Sequence, residues 1–430
     1  MKCLLVDAGS TYIKWAVFET ETQTILAQSQ TPFPAPEFQE GGRFLVSENA
    51  LRAVFLQGVQ AHPECRSIFI SVQMHGYLFK RPGGDFSPYV SWRDASGDVK
   101  QPGLAQIDFE VRGTSLKANL PFVKLYRKPW EGELFTLGSY IAWLLTGVNA
   151  AHITDLCASG FYDAQTGECF RAEDMPRAFM AVQPVGSYRG ARVFAPVGDH
   201  QASYLGSGAG ESAWLVNIGT ATQVSCMGRR SETALNCELR PWFERDRRLF
   251  TVSGLMGGSE LYQNGWNERL WEQISDAIFR LPRRSRMLLG GGGARQVFEK
   301  LQKHCVQAGI ECRLLEHSIG LEGLKMLAQK QVCGRQLGTM LSEAAFPHFP
   351  LIAANCGLDF VIIDNEHGAF DDTAMAALCM NARLSGVRAI VRLACSDRGY
   401  LTRLADMGAG GFLLPMTNSR EDVERVIRCV

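Results

Sequence analysis

Two short stretches of this chain share one construction. Near its start, Val6-Asp7-Ala8-Gly9-Ser10-Thr11-Tyr12-Ile13-Lys14 sets a glycine and two hydroxyl residues between apolar strands. Much later, Val216-Asn217-Ile218-Gly219-Thr220-Ala221-Thr222-Gln223-Val224 repeats the pattern. Glycine lets such a turn reach φ > 0 and lets backbone N–H groups approach an anion closely. A strand–turn–strand unit that occurs twice predicts two related lobes, each opening on a hairpin. The 430 residues leave room for a further compact unit beyond them.

The rest of the chain can be ordered around those hairpins. Ser67–Val72 is an apolar strand ending at Gln73-Met74-His75-Gly76. Leu134–Leu145 reads as one buried helix with a Thr146-Gly147 stop, and Phe161–Tyr162 as strand-like. A second half begins near Pro196, with Gly198-Asp199 opening a helix. Met287–Leu289 runs into Gly290–Gly293, then a helix, a strand at Cys312–Leu315 and a helix at Leu321–Gln329. The polar stretch Gln329–Arg335 marks a domain boundary. Beyond it, strands at Gln336–Leu341, Phe360–Asp364, Ala389–Leu393 and Gly411–Leu414 alternate with helical segments, which predicts a parallel sheet. The expected domains are 1–195, 196–330 and 336–430.

Chemistry follows from the turns. Ser10 and Thr11 add hydroxyl donors and Lys14 a charge. Asp7 can hold Mg²⁺, which binds through one or two carboxylates plus phosphate oxygens. One turn per lobe can grip a nucleotide's phosphates from both sides. In these features the chain resembles the FGGY carbohydrate kinases. That family's opening D-x-G-[ST]-[ST]-x-x-[KR] is Asp7 to Lys14 here, and its Q-M-H-G is Gln73 to Gly76. A tryptophan and an aspartate follow as Trp92-Arg93-Asp94, with Ser96 where the family often has arginine. Gly198-Asp199, Gly219-Thr220 and Gly290–Ala294 complete the order over residues 1 to about 328. Cys237 to Arg286 is much shorter than the family's equivalent.

The resemblance implies a two-lobed α/β fold of the actin and hexokinase type, ribonuclease H-like in each lobe. It implies ATP and Mg²⁺ as cofactors and a small-molecule sugar as substrate. Asp199 would be the base that accepts the sugar hydroxyl proton, with a helix N-cap as its alternative role. Gln73, Met74, His75, Trp92 and Asp94 would contact the sugar. Gly9, Ser10, Thr11, Lys14, Gly219, Thr220 and Ala221 would hold phosphates, and Gly291, Gly292, Gly293 and Ala294 the adenosine. The glycine run has a rival reading as a dinucleotide unit with Glu316 on the ribose, but Arg295 occupies its final glycine position.

The last 95 residues carry a second resemblance, to the first half of a pyruvate-dependent class II aldolase. It rests on Asp364-Asn365-Glu366-His367-Gly368, Val391-Arg392 and Asp406-Met407-Gly408-Ala409 before Pro415. It implies an incomplete (β/α) TIM-type half barrel in which His367 is the catalytic base and Arg392 binds the pyruvate carboxylate. The family's acidic metal ligands lie in the other half. Four strands leave an open edge, so the half barrel would lack metal-dependent aldolase activity alone. It would need a homo-oligomer or a second chain to complete it.

Lys plus Arg and Asp plus Glu both number 44, so no global field draws nucleic acid or a membrane. The 13 cysteines form no C-x-x-C pair, which fits free thiols in a reducing cytoplasm. The reading is therefore a cytoplasmic, ATP-dependent ketose or polyol kinase fused to a partial aldolase. The alternatives are a pyruvate aldolase with a degenerate kinase, and a non-catalytic sugar or nucleotide sensor.

Overall fold

The computed structural model describes residues 1–171, 174–257, 260–261, 267–332, 337–343 and 346–429. The chain divides into two compact units, Met1–Cys333 and Gly334–Val430. Of the expected boundary segment, Arg335 lies outside the described residues, as does Gln336 at the start of the next expected strand.

The first unit holds two large sheets that share one five-strand core, with an extra edge strand at opposite ends. In the first sheet the order is Pro184–Tyr188, Ala191–Phe194, Ser67–Val72, Lys2–Ala8, Tyr12–Glu19, Thr24–Pro32. In the second it is Glu238–Pro241, Arg247–Leu255, Thr222–Arg229, Ala213–Ile218, Arg286–Gly290, Glu311–Leu314. Each opening strand pairs antiparallel with its hairpin partner on one side and parallel with a later strand on the other. This is the two-lobed fold that the repeated turns predict. The strand leading into Gly290–Gly293 pairs in parallel with both of its neighbours, and the helix Ala294–Gln307 joins it to Glu311–Leu314, whereas the other three pairings of this sheet are antiparallel. Glu316 is exposed and lies 3.4 Å from Arg295.

Side-chain alternation explains why the opening strands are apolar throughout. Leu4, Val6 and Ala8 enter one core, with the helix Glu48–Gln60 and the helix Leu137–Thr146 against it. Cys3 and Leu5 enter another, covered by Leu321, Leu324, Leu327 and Ala328 of the helix Ile319–Val332. A strand buried on both faces reads as a continuous apolar run. The helix Ile319–Val332 also crosses the helix Asp199–Gly206, and glycines make the contact possible. A Cβ on Gly206 would lie 2.0 Å from the Ile319 carbonyl oxygen, and one on Gly323 1.9 Å from that of Ala202.

Two sequence expectations change. Leu134–Leu145 is not one helix: Glu133–Thr136 is a strand paired with Tyr77–Lys80, and the helix is Leu137–Thr146. Thr136 and Ser139 form a capping box that starts the helix inside the apolar run. Phe161–Tyr162 is not a strand either, since only an isolated bridge joins Tyr162 to Cys169.

The second unit is a parallel sheet in sequence order: Gly338–Leu341, Phe360–Asp364, Arg388–Arg392, Gly411–Leu413. The helices Phe349–Asn355, Asp372–Ser385, Arg398–Asp406 and Arg420–Cys429 alternate with these strands. Val361, Ile363, Ala389 and Val391 pack with Met375, Leu378 and Leu401. Asp406-Met407-Gly408-Ala409 forms a helix end, where Gly408 takes φ +97.

Candidate active site

The opening strand delivers Asp7 to a crowded, polar corner of the first unit. Its carboxylate accepts a hydrogen bond from Ser71 Oγ at 2.9 Å, and Lys14 Nζ stands 3.6 Å away. Lys14 also reaches Ser318 Oγ at 3.3 Å, just before the helix Ile319–Val332. That helix starts against Asp7: a Cβ on Gly320 would lie 2.5 Å from Asp7 Oδ2. A carboxylate is favoured at a helix N-terminus.

The two hydroxyl turns meet. Ser10 Oγ lies 3.3 Å from Thr220 Oγ1, although 210 positions separate them. Thr11 is exposed at the same turn, and Ala221 is half-buried at the other. The expected left-handed glycines are absent, because neither Gly9 nor Gly219 has positive φ. The value of Gly9 is space, since a Cβ there would sit 3.1 Å from the Tyr12 carbonyl oxygen, whereas one on Gly219 would meet nothing nearer than 3.7 Å. Gly257, which sequence reading missed, supports the second turn, since a Cβ there would lie 2.0 Å from the Thr220 carbonyl oxygen. In the glycine run only Gly291 is left-handed, at φ +92, tucked against Ile218 and Asn217. The Gly293 N–H donates to the Ile218 carbonyl at 2.9 Å, Gly292 faces open space, and Ala294 begins a helix.

Asp199 is the first helical residue, with Gly198 at the N-cap position, and its carboxylate meets the His200 N–H at the helix start. Burial, and then the charge of Asp7, push its carboxyl up to about 7, while Arg240 opposes the rise. Thr154 Oγ1 accepts from the Gly198 N–H at 3.1 Å and so fixes the helix start that presents Asp199. Next to Thr154, Asp155 is also pushed up to about 7 by burial, and Thr136 Oγ1 donates to it at 2.6 Å.

Met74 and His75 line a narrow pocket with Thr154, Gln201 and Arg240. His75 has φ 66, and its Nδ1 lies 2.6 Å from the Ala158 carbonyl oxygen. Burial and the nearby charges of Lys117 and Arg240 hold its pKa well below the usual histidine range. Gln73 is 3% exposed, and both polar atoms of its side chain lack a partner in the protein. Such a buried amide is costly unless something else satisfies it.

The sequence reading missed an ion network beside this pocket. Glu238 takes Lys117 at 2.8 Å and Arg240 at 2.7 Å, with Ser115 and Ser253 hydroxyls each at 2.8 Å. Glu238 is held well below the usual carboxylate range by Arg240 and Lys117 despite its burial. A faint signal existed: Glu238 and Arg240, two apart in a short strand, share a face. Trp92 and Asp94 are not brought into the pocket. Arg93 packs over the Trp92 ring at 5.9 Å, and Asp94 accepts from Phe44 N–H at 3.0 Å and Ser96 Oγ at 2.6 Å.

The donor set suits a nucleotide with a divalent cation. Asp7 supplies one carboxylate, the Ser10 and Thr220 hydroxyls face one another, and Thr222 Oγ1 is buried without a protein partner. One protein carboxylate plus phosphate oxygens is a common magnesium arrangement.

In the second unit, Asp364 caps its own loop by accepting from Glu366 N–H at 3.0 Å and His367 N–H at 3.1 Å. Arg392 pairs with Asp364 at 3.1 Å and with Glu366 at 2.6 Å. Its guanidinium is therefore already engaged, where the resemblance implied a carboxylate of pyruvate. The His367 side chain is 70% exposed.

No protein-family model matches the chain. The chain is similar in structure to a ligand-bound xylulose kinase from Lactobacillus acidophilus, at 13% identity and TM-score 0.66, over 78% of this chain and 90% of that one. It is similar to a gluconate kinase from Lactobacillus acidophilus at 12% identity and TM-score 0.65, with the same coverage. Their fold is the one described for the first unit. In sequence, the chain is 28% identical over 95 residues to a hydroxypyruvate/pyruvate aldolase from Pseudomonas aeruginosa. That match spans 22% of this chain and 35% of the relative, about a third of its length.

Proposed function

We propose that the first unit is an ATP-dependent carbohydrate kinase that transfers the γ-phosphate to a hydroxyl of a ketose or related polyol. The observation that carries this reading is the buried Asp199 at the start of its helix, whose carboxyl feels the charge of Asp7. Burial and the Asp7 charge give Asp199 a carboxyl that titrates near 7, where it can accept a proton at neutral pH. The Ser10 and Thr220 hydroxyls, 3.3 Å apart, stand where two lobes can hold one polyphosphate. Phosphoryl transfer asks the protein mainly for positioning and charge neutralisation, and that is what these groups offer.

Each role follows from position. Asp7, with Lys14 beside it, would hold the magnesium ion that neutralises phosphate charge. Ser10, Thr11, Gly219, Thr220 and Ala221 would bind the phosphates. Gly291–Ala294 would lie along the adenosine. Gln73, whose amide lacks a partner, would bind sugar hydroxyls together with His75, which is held neutral with Nδ1 donating to the Ala158 carbonyl, so that its Nε2 is left as an acceptor. Asp199 would take the proton of the attacking hydroxyl. The test is ADP release by the purified chain with Mg²⁺ and a panel of ketoses and polyols. Sugar-dependent release supports the kinase; tight sugar binding without turnover would favour a sensor.

A second reading applies to the second unit, favoured by the identity to a pyruvate aldolase. His367 and Arg392 would act there on a 2-oxo acid. The engagement of Arg392 by Asp364 and Glu366 argues that the substrate carboxylate would have to displace them.

A further inference from the structure

A cavity of about 540 Å³ opens in the first unit beside the sheet that contains Tyr77–Lys80 and Glu133–Thr136. It shares no lining residue with the pocket under Met74 and His75. Its volume falls in the usual range for small-molecule sites. Four cations line it, Arg43, Arg81, Lys124 and Lys128, against two carboxylates, Asp94 and Glu131. The lining carries an excess of two positive charges, one of which Asp85 offsets through Arg81. Tyr77 and Phe79, both buried, give it an apolar wall.

Lys124 makes the cavity more than a charged dent. Its side chain is 2% exposed, yet its ammonium has only long contacts: Asp94 at 3.4 Å, the Ser91 carbonyl at 3.5 Å and the Tyr77 ring centroid at 5.7 Å. An ammonium offers three donors. Asp94 is itself drawn elsewhere, to Ser96 Oγ at 2.6 Å and the Phe44 N–H at 3.0 Å. Burial accordingly pushes Lys124 down to about 8. A buried cation so thinly compensated is costly, and an anion arriving in the cavity would relieve it. Arg43 and Lys128 stand exposed at the rim. Arg81 is shared between Asp85 at 2.9 Å and Glu131 at 3.3 Å.

We infer that this cavity is a second ligand site, separate from the phosphoryl-transfer cleft, that binds the phosphate monoester of a sugar or small polyol. A phosphate monoester carries a charge of about −1.5 to −2 near neutral pH, which a net positive lining attracts. Arginine recognises its oxygens bidentately, and the Tyr77 and Phe79 wall accepts the carbon face of the polyol. The strand Tyr77–Lys80 begins two residues after His75, so the ligand would bear on the strand that leaves the sugar pocket.

Calorimetry on the full chain tests this with glucose 6-phosphate, glucose, inorganic phosphate and citrate. Glucose 6-phosphate should bind and glucose should not. Phosphate should bind more weakly than glucose 6-phosphate, because it lacks the part that meets the apolar wall. The exposed double substitution Arg43→Ala with Lys128→Ala should weaken glucose 6-phosphate at least about tenfold, while Asp199→Asn leaves it unchanged. Lys124→Met should abolish binding; if that variant unfolds, the rim variant still decides. Failure of the wild type to bind glucose 6-phosphate overturns the inference. So does binding that the rim variant leaves intact, or citrate binding about tenfold tighter than glucose 6-phosphate.

Discussion

Asp199 and Asp7 show how two carboxylates of one type can take different tasks. Asp7 is compensated by Ser71 and Lys14 and borders a helix N-terminus, an environment that suits an ionised group. Asp199 is raised to about 7 by burial and by Asp7 itself. A base works only when deprotonated, so kcat/KM should fall as pH drops below about 7 and level off above it. Removing the Asp7 charge removes one cause of the rise. In the residual activity of Asp7→Asn the acidic limb should therefore shift to lower pH. A limb near the ordinary carboxylate range in the unmodified protein would contradict this assignment. That these two aspartates and Gln73 each end an apolar strand or open a helix was legible in the sequence. Lys117, Glu238 and Arg240 were not, because their meaning is a contact between 117 and 238 that no local pattern announces. Asp94 stands apart from the pocket of Met74 and His75, with its oxygens held by the Phe44 N–H and Ser96 Oγ.

Among the elements, the crossing of the helices Asp199–Gly206 and Ile319–Val332 ties the proposed base to the metal-side carboxylate. One helix begins at Asp199, and the other begins against Asp7. Their approach depends on missing side chains, since a methyl on Gly323 would meet the Ala202 backbone at 1.9 Å. Backbone cannot step aside as a flexible side chain can. Gly323→Ala should therefore destabilise the protein by about 1–3 kcal/mol or more, the usual range for overpacking, and lower activity with it. Thermal unfolding of the variant checks this; an unchanged melting temperature would mean the crossing is looser than described. Strand positions were readable because alternation and double burial leave a clear mark, as at Ser67–Val72 and Phe360–Asp364. The run Leu134–Leu145 was misread because apolar composition is shared by a buried strand and a buried helix. The capping box at Thr136 decides the switch between them.

At the scale of the whole molecule, the chain joins a two-lobed unit to a second unit of four parallel strands. Among the described residues, no three His, Cys, Asp or Glu side chains stand together to hold a metal ion. Arg392 is occupied by Asp364 and Glu366. We predict no metal-dependent oxaloacetate decarboxylation by this chain; turnover with Mg²⁺ or Mn²⁺ that His367→Ala abolishes would contradict that. Among the described residues, no helix is long and apolar enough to cross a membrane. The proposed activity of the first unit runs through Asp199. The direct measurement is sugar-dependent ADP release by the unmodified chain and by Asp199→Asn, with ATP affinity followed in parallel by calorimetry. Loss of the base should lower kcat about 10²–10⁴-fold while ATP affinity holds, because Asp199 is assigned to the sugar hydroxyl and not to the nucleotide. Near-normal turnover in Asp199→Asn, or loss of ATP binding to the same degree as turnover, would contradict the account.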